Sequence, residues 1–291
     1  MKYQLTHTTT YDYESPVFYG RQIVRKRPRD LEFQRVHNFH LHIQPTPSWS
    51  QQDLDYFGNA RDVVEILQSH ERFEVACRST VHVGPRPINQ QLPLFLARWE
   101  DVAERLTRDP AFIEEREMQY DSPFVRRHPL LRAFAERVFT PGRPILEAVL
   151  ALNALIHNEF TYDPSYSEIS TPLGQVLRDK RGVCQDFSHV AIGALRSIGL
   201  AARYVSGYLE TIPPKGQKRL VGADASHAWA SVFLPDHGWV AFDPTNNLLP
   251  GERHIVAAWG RDFSDVSPLR GVVHGGGAHH VQVSVDVAPL R

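Results

Sequence analysis

The chain has 291 residues, with 32 Lys and Arg against 33 Asp and Glu and a formal net charge of −1, so bulk charge draws it neither to nucleic acid nor to an anionic membrane surface. Its first residues, Met1 to His7, lack an apolar signal core, and no run approaches the roughly 20 apolar residues that span a bilayer, so a cytoplasmic protein is expected. With Cys77 and Cys184 as its two cysteines, a disulfide framework is not expected and a reducing compartment fits.

A chain of this length predicts two domains, here a β half over residues 1–92 and a mixed half over 93–291. Period-two alternation marks antiparallel strands at Tyr3–Tyr13, Val36–Ile43, Val63–Leu67 and Phe73–Val83, as in a β-sandwich-like or open sheet, and Tyr56-Phe57-Gly58-Asn59 supplies a turn between two of them. Phe73, Val75, Cys77 and Val81 share parity, so Cys77 is expected to pack inward as a small apolar residue. His40 and His42 should point to one side and His37 to the other, which argues against a metal site. The basic run Arg21, Arg25, Lys26, Arg27 and Arg29 reads as a solvated strand edge, with a site for an acidic substrate or partner as the alternative. Pro85, Pro87 and Pro93 mark a linker.

From Leu94 to Arg116 the spacing turns helical, and a short helix follows over His128–Val138. Pro144 opens a longer helix whose Ile145, Val149, Leu152 and Ile156 form one apolar stripe, and Ser170-Thr171-Pro172 starts another that ends near Gly182. Phe187, Val190, Ala191, Ala194, Leu195 and Ile198 then recur three and four apart, with Gly199 placed to stop the helix, so Cys184 falls in its first turn. There unpaired amides and the positive end of the helix dipole favour a thiolate, although a strong depression of its pKa needs a cationic partner. His189 is a poor partner, because five helical residues rotate it about 140° off the face of Cys184. Asp186 reads as a first-turn acid favoured by the dipole.

A strand over Ala201–Glu210 and a polar loop over Thr211–Arg219 lead to a predicted hairpin, Ala225–Leu234 and Trp239–Asn247. His227 near the start of its first strand and Asp243 near the end of its second fall at one edge, giving a Cys184 nucleophile, a His227 proton carrier and an Asp243 that fixes the imidazole tautomer. Register tests this arrangement. A four-residue turn over Pro235–Gly238 would put Asp243 on the face away from His227, so an odd-length turn or a bulge is predicted. Trp229, two residues beyond His227 on the same face, should pack beside the imidazole. The alternating Val281, Val283, Val285 and Val287 after Gly275-Gly276-Gly277 predict a terminal strand, and His274, His279 and His280 lack the second half of a ligand set.

The ordered segments Gly182-Val183-Cys184-Gln185-Asp186-Phe187, Ser226-His227-Ala228-Trp229 and Phe242-Asp243-Pro244-Thr245-Asn246 resemble the three active-site motifs of the transglutaminase-like superfamily of papain-like thiol enzymes, most closely over about residues 145–250. Asp55-Tyr56-Phe57-Gly58-Asn59, Gly260–Val266 and the three terminal glycines are similar to a bacterial branch with an amino-terminal β domain. The resemblance implies an α+β fold, with a helix bundle packed on an antiparallel sheet as the catalytic core over 93–291, which includes a C-terminal β segment, and an antiparallel β domain before it. It implies a cysteine enzyme that cleaves or transfers the acyl group of a peptide or isopeptide amide through a Cys-His-Asp triad and a thioester, with hydrolysis favoured. A noncatalytic scaffold on the same fold is the alternative. The resemblance also offers Tyr162 or Gln185 as an oxyanion donor beside the amide of Cys184, each with a purely structural role as the other option. No cofactor or metal is expected: Asp262 and Asp265 do not make the dense acidic loop that calcium requires. The expected partner is a peptide or protein amide substrate, with neither nucleic acid nor membrane involved.

Overall fold

A computed structural model describes residues 1–91, 95–211 and 226–290. Strand β1 (Lys2–Val24) runs through both halves of a seven-stranded antiparallel sheet with β2 (Gln34–Gln44), β3 (Trp49–Leu54), β4 (Ala60–Ile66), β5 (His70–Val83), β12 (Leu269–Gly275) and β13 (His279–Pro289). The first half of β1 lies between β5 and β13, and its second half between β4 and β12. The register shifts between Asp12 and Val17, beside Pro16. Val24 and Ile66 from one half meet Phe73 and Val75 from the other in a single apolar cluster, so the sheet folds back on itself.

Two expectations change here. The carboxy-terminal strands, grouped with 93–291 on sequence, hydrogen-bond to β1 in this first sheet, because edge pairing depends on which backbone arrives beside it and not on distance along the chain. Beyond Arg21, which stays exposed beside Glu65, the basic run is not a solvated edge. Lys26 is 1% exposed, with Nζ donating to Thr9 Oγ1 (2.7 Å) and to Val75 O (2.9 Å). Arg25 pairs with Asp55 (3.0 Å), and the Arg29 guanidinium lies over the Trp259 ring while donating to Asn59 (2.6 Å). Ile23 and Val24 carry β1 past the predicted end of its strand and take these cations inside. In β2 an extra residue between His37 and His40, with Asn38 at φ 52°, leaves His37 exposed together with His40 and His42, so the expected alternation fails at the bulge. Cys77 is buried as expected.

The second half is built on the four-stranded antiparallel sheet β10-β9-β8-β11, formed by β8 (Ala202–Leu209), β9 (Ser226–Leu234), β10 (Gly238–Phe242) and β11 (His254–Gly260). Of the helices before it, α1 (Pro87–Gln91), α2 (Trp99–Arg108) and α3 (Ile113–Arg116) are short. Pro110 and the Asp109 side chain, which accepts from Ala111 N, interrupt the helical spacing expected through Arg116. Pro93 and most of the 211–219 loop lie outside the described residues. Then come α4 (Pro129–Glu136), α5 (Ile145–Glu159), the short strand β6 (Thr161–Tyr162), α6 (Leu173–Asp179) and β7 (Arg181–Gly182), which pairs with β6 in parallel. Helix α6 ends on left-handed Lys180 (φ 50°), two residues before the glycine expected to mark its end.

Helix α7 (Cys184–Ser197) is surrounded by α4, α5 and α6 and lies on β8 and β9. The predicted stripe of α5 is fully used: Ile145, Val149, Leu152 and Ile156 join Phe187, Val190, Ala191 and Leu195 in the main core. The far side of the four-stranded sheet meets the first sheet, where Tyr208 and Ile255 pack with Tyr3, Leu5, Val285 and Val287. No described helix is long and apolar enough to cross a membrane.

Candidate active site

Cys184 is the first residue of α7, so its own amide precedes the intrahelical bonding pattern and remains available at the helix start. The start is fixed from inside the helix: Asp186 Oδ2 accepts from Val183 N (2.8 Å) and from Ser167 Oγ (2.6 Å). Asp186 therefore anchors the turn that presents the thiol. Burial pushes its carboxyl pKa up, against the pull of those two donors. The helix body is buried, while Cys184 itself is half-buried and faces a cleft of about 360 Å³ that it shares with Gln185 and His227.

The hairpin resolves the register problem as anticipated. Gly238 pairs with Leu234 and Phe242 with Ala230, which leaves the three-residue turn Pro235-Asp236-His237. Asp236 (φ 69°) and Gly238 (φ 79°) supply the left-handed conformations that such a turn needs. The odd length gives Asp243 the same parity as His227. His227 Nε2 donates to Asp243 Oδ2 at 2.7 Å, and the ring lines the same cleft as Cys184, whose thiol acts on it together with the carboxylate. Burial alone would lower the imidazole pKa. The Asp243 carboxylate and then the Cys184 thiol outweigh it and raise it to about 10, so the ring is held as a cation.

Asp243 is completely buried and fully engaged. Its Oδ1 accepts from the amides of Thr245 (3.0 Å) and Asn246 (3.2 Å), and its Oδ2 accepts from Asn246 Nδ2 (2.8 Å) as well as from the ring. Burial acts to raise the carboxyl pKa, and the hydrogen bonds from His227 and His254 overcome it and hold the group well below the usual carboxylate range. The Asp-Pro-Thr-Asn turn carried a local signal for the amide and Asn246 contacts, since aspartate before proline favours such turns.

His254 had no such signal. It begins β11, and its Nε2 donates to the same Asp243 Oδ2 at 3.2 Å while its Nδ1 has no hydrogen-bond partner. Burial pushes the His254 pKa down despite the carboxylate, so one anion orients one charged and one neutral imidazole. Among the described residues, His227, Asp243 and His254 form the one group close enough to share a metal ion, but the nitrogens facing Oδ2 are committed to it as donors.

Trp229 is buried beside this group, 5.9 Å from the His227 ring and edge-on to His254 at 5.3 Å. Gly207, paired opposite His227, makes room for it: a Cβ there would sit 2.6 Å from the Trp229 ring and 2.0 Å from Ile255 O. His189 lies away from the thiol, buried between Phe124 and Tyr204, and accepts from Phe263 N. Tyr162 is exposed yet close enough to the thiol for the sulfur to help raise its hydroxyl pKa, after burial. Gln185 lines the cleft.

The sequence of residues 132–244 matches the model of the transglutaminase-like superfamily core, and residues 3–82 match that of the bacterial transglutaminase-like N-terminal region. An uncharacterized protein of Mycobacterium tuberculosis is 37% identical over 299 residues, covering 100% of this chain and 93% of that protein. A protein-glutamine gamma-glutamyltransferase of Pseudomonas aeruginosa is 27% identical over 227 residues, covering 72% of this chain and 32% of that protein. A solved structure of a proposed cysteine protease from Cytophaga hutchinsonii superposes with a TM-score of 0.77 at 21% identity, covering 100% of this chain and 91% of that one, which is a likeness of fold. By its two matched regions and by its full-length relatives, the chain belongs to the transglutaminase-like superfamily, in the bacterial group with its own amino-terminal β region.

Proposed function

We propose that this protein is a cysteine amidase or protease in which Cys184 forms a thioester with the acyl part of a peptide or isopeptide amide. With His227 already carrying the proton, Cys184 attacks the carbonyl carbon as the thiolate. His227 then gives that proton to the amine nitrogen as the C–N bond breaks and the amine leaves. Water, deprotonated by His227, attacks the thioester carbonyl, and the C–S bond breaks to give a carboxylic acid and regenerate the thiolate. In this reading the oxyanion is received by the amide of Cys184 together with Tyr162 or Gln185.

The observation that carries this reading is the His227 ring, held as a cation by buried Asp243 in the same cleft as the half-buried Cys184. Hydrolysis is favoured because the cleft is open and water is the most abundant acceptor that reaches it. Transfer to an amine is the second outcome, supported by the transferase activity in the name of the Pseudomonas aeruginosa relative.

The test is intact-mass detection of an acyl adduct on Cys184 across a library of amides and esters, with Cys184→Ala as control. A thioester-sized mass increase that is lost in the control is expected. Failure of every acyl donor to leave an adduct on Cys184 would favour a noncatalytic scaffold.

A further inference from the structure

The face of the first sheet that packs against the catalytic half is longer than the surface it covers. Pairing sets Leu5 beside Val287, His7 beside Val285, Thr9 beside Val283 and Tyr11 beside Val281, so these residues form one face of two neighbouring strands. Leu5, Val285 and Val287 are buried against Tyr208 and Ile255. Farther along the same strands the catalytic sheet ends, and Val281 and Val283 stand 40% and 58% exposed. They do not look out onto open solvent alone. Together with Thr9 and Tyr11 they line the cleft that contains Cys184 and His227.

The chemistry of this overhang is apolar and uncharged. Leu269 and Pro268 extend it, and among the described residues no Asp, Glu, Lys or Arg side chain lines the cleft. His7 is kept neutral by burial and by the nearby Lys26, whose ammonium sits behind Thr9 and makes the wall unfavourable to a second cation. Desolvating a charged substrate group against such a wall has no compensating partner, whereas an apolar group gains burial.

From this continuity we infer that the amino-terminal sheet is the specificity wall of the active site, and that its exposed strip takes an uncharged, apolar segment of the substrate next to the scissile amide. The inference rests on the thiol reading above, but its test does not require amide turnover.

Cys184 is alkylated with three chloroacetamides bearing a hexyl, an aminohexyl or a carboxypentyl chain, each rate being followed by intact mass and normalised to the same reagent's rate with glutathione. The hexyl reagent is expected to react at least tenfold faster than the aminohexyl one in the wild type. Val283→Glu, at an exposed strand position, should reduce that ratio at least tenfold. Val281→Glu gives the same readout should the first variant fail to fold by circular dichroism. Equal normalised rates in the wild type, or an unchanged ratio in a folded variant, overturn the assignment. Peptide hydrolysis measured in parallel separates the two ideas: absent turnover with chain selectivity retained removes the amidase reading and leaves the wall, while absent alkylation by all three reagents removes both.

Discussion

His227 and Asp243 meet at 2.7 Å because the turn between their strands has three residues and not four. One residue decides which face of the sheet the carboxylate occupies. Insertion of a glycine between Asp236 and His237 would restore the even register and carry Asp243 to the opposite face. The same slip turns buried Val240 and Phe242 outward, so the variant should lose activity as completely as Asp243→Ala and show a lowered urea midpoint. Retention of more than a tenth of wild-type kcat/KM would show that the register does not matter.

Asp243→Asn keeps the size of the side chain but removes the anion that holds the His227 cation and fixes its tautomer. By the precedent of Ser-His-Asp enzymes the loss of kcat should be on the order of 10²- to 10⁴-fold. Steady-state kinetics on whichever substrate the trapping screen identifies provides the measurement. A loss confined to KM would place Asp243 in binding and not in proton transfer.

The two cysteines should differ sharply towards iodoacetamide at neutral pH. Cys77 is 1% exposed, and burial pushes its thiol up to about 11, whereas Cys184 faces the cleft beside an imidazolium. Peptide mapping after brief treatment is expected to find Cys184 labelled at least tenfold faster, with His227→Ala removing most of that advantage. Equal labelling of both thiols, or labelling of Cys184 indifferent to His227, would argue that the sulfur is not activated.

His254 is a positioning residue: it touches Asp243 and holds no direct contact with Cys184 among those identified. Removing its hydrogen bond to a buried anion should cost about 1.5–3 kcal/mol of stability. For His254→Ala we expect kcat to fall about tenfold, less than for Asp243→Asn, with KM held. His254→Gln, which retains a donor, should recover part of both. A kcat unchanged alongside the loss of stability would leave His254 a packing residue only.

Stability should respond to pH through two groups of opposite sign. His227 has a folded value of about 10, above its ordinary 6.5, so its stabilisation is complete below about pH 6.5 and is lost as pH rises towards 10. Lys26 is depressed from 10.5 to about 8 by burial, so the unfolded chain binds more protons between those values and folding gains as pH rises through them. Urea midpoints at pH 5, 7, 8 and 10 measure both. The deficit of His227→Gln relative to wild type should shrink towards pH 10, and Lys26→Met should lose the gain between pH 8 and 10 while being no less stable at pH 7. A pH-independent deficit for His227→Gln would mean that the ring is neutral in the folded protein.

What could be read from the sequence was whatever a short stretch of chain dictates about itself. The three- and four-residue spacing from Phe187 to Ile198 put Cys184 at a helix start, two strand-like runs over Ala225–Leu234 and Trp239–Asn247 around a short turn gave a hairpin, and parity required an odd turn if Asp243 was to reach His227. Hydrophobic period reports which face is covered. It does not report what covers it. The return of β12 and β13 to β1, the burial of Lys26, the arrival of His254 at Asp243 and the overhang of Val281 and Val283 beside the thiol all join residues far apart in the chain. Those contacts are chosen by the packing of one sheet on another, because backbone pairing and burial are satisfied by whichever distant segment closes the structure, and no local pattern encodes which segment that is.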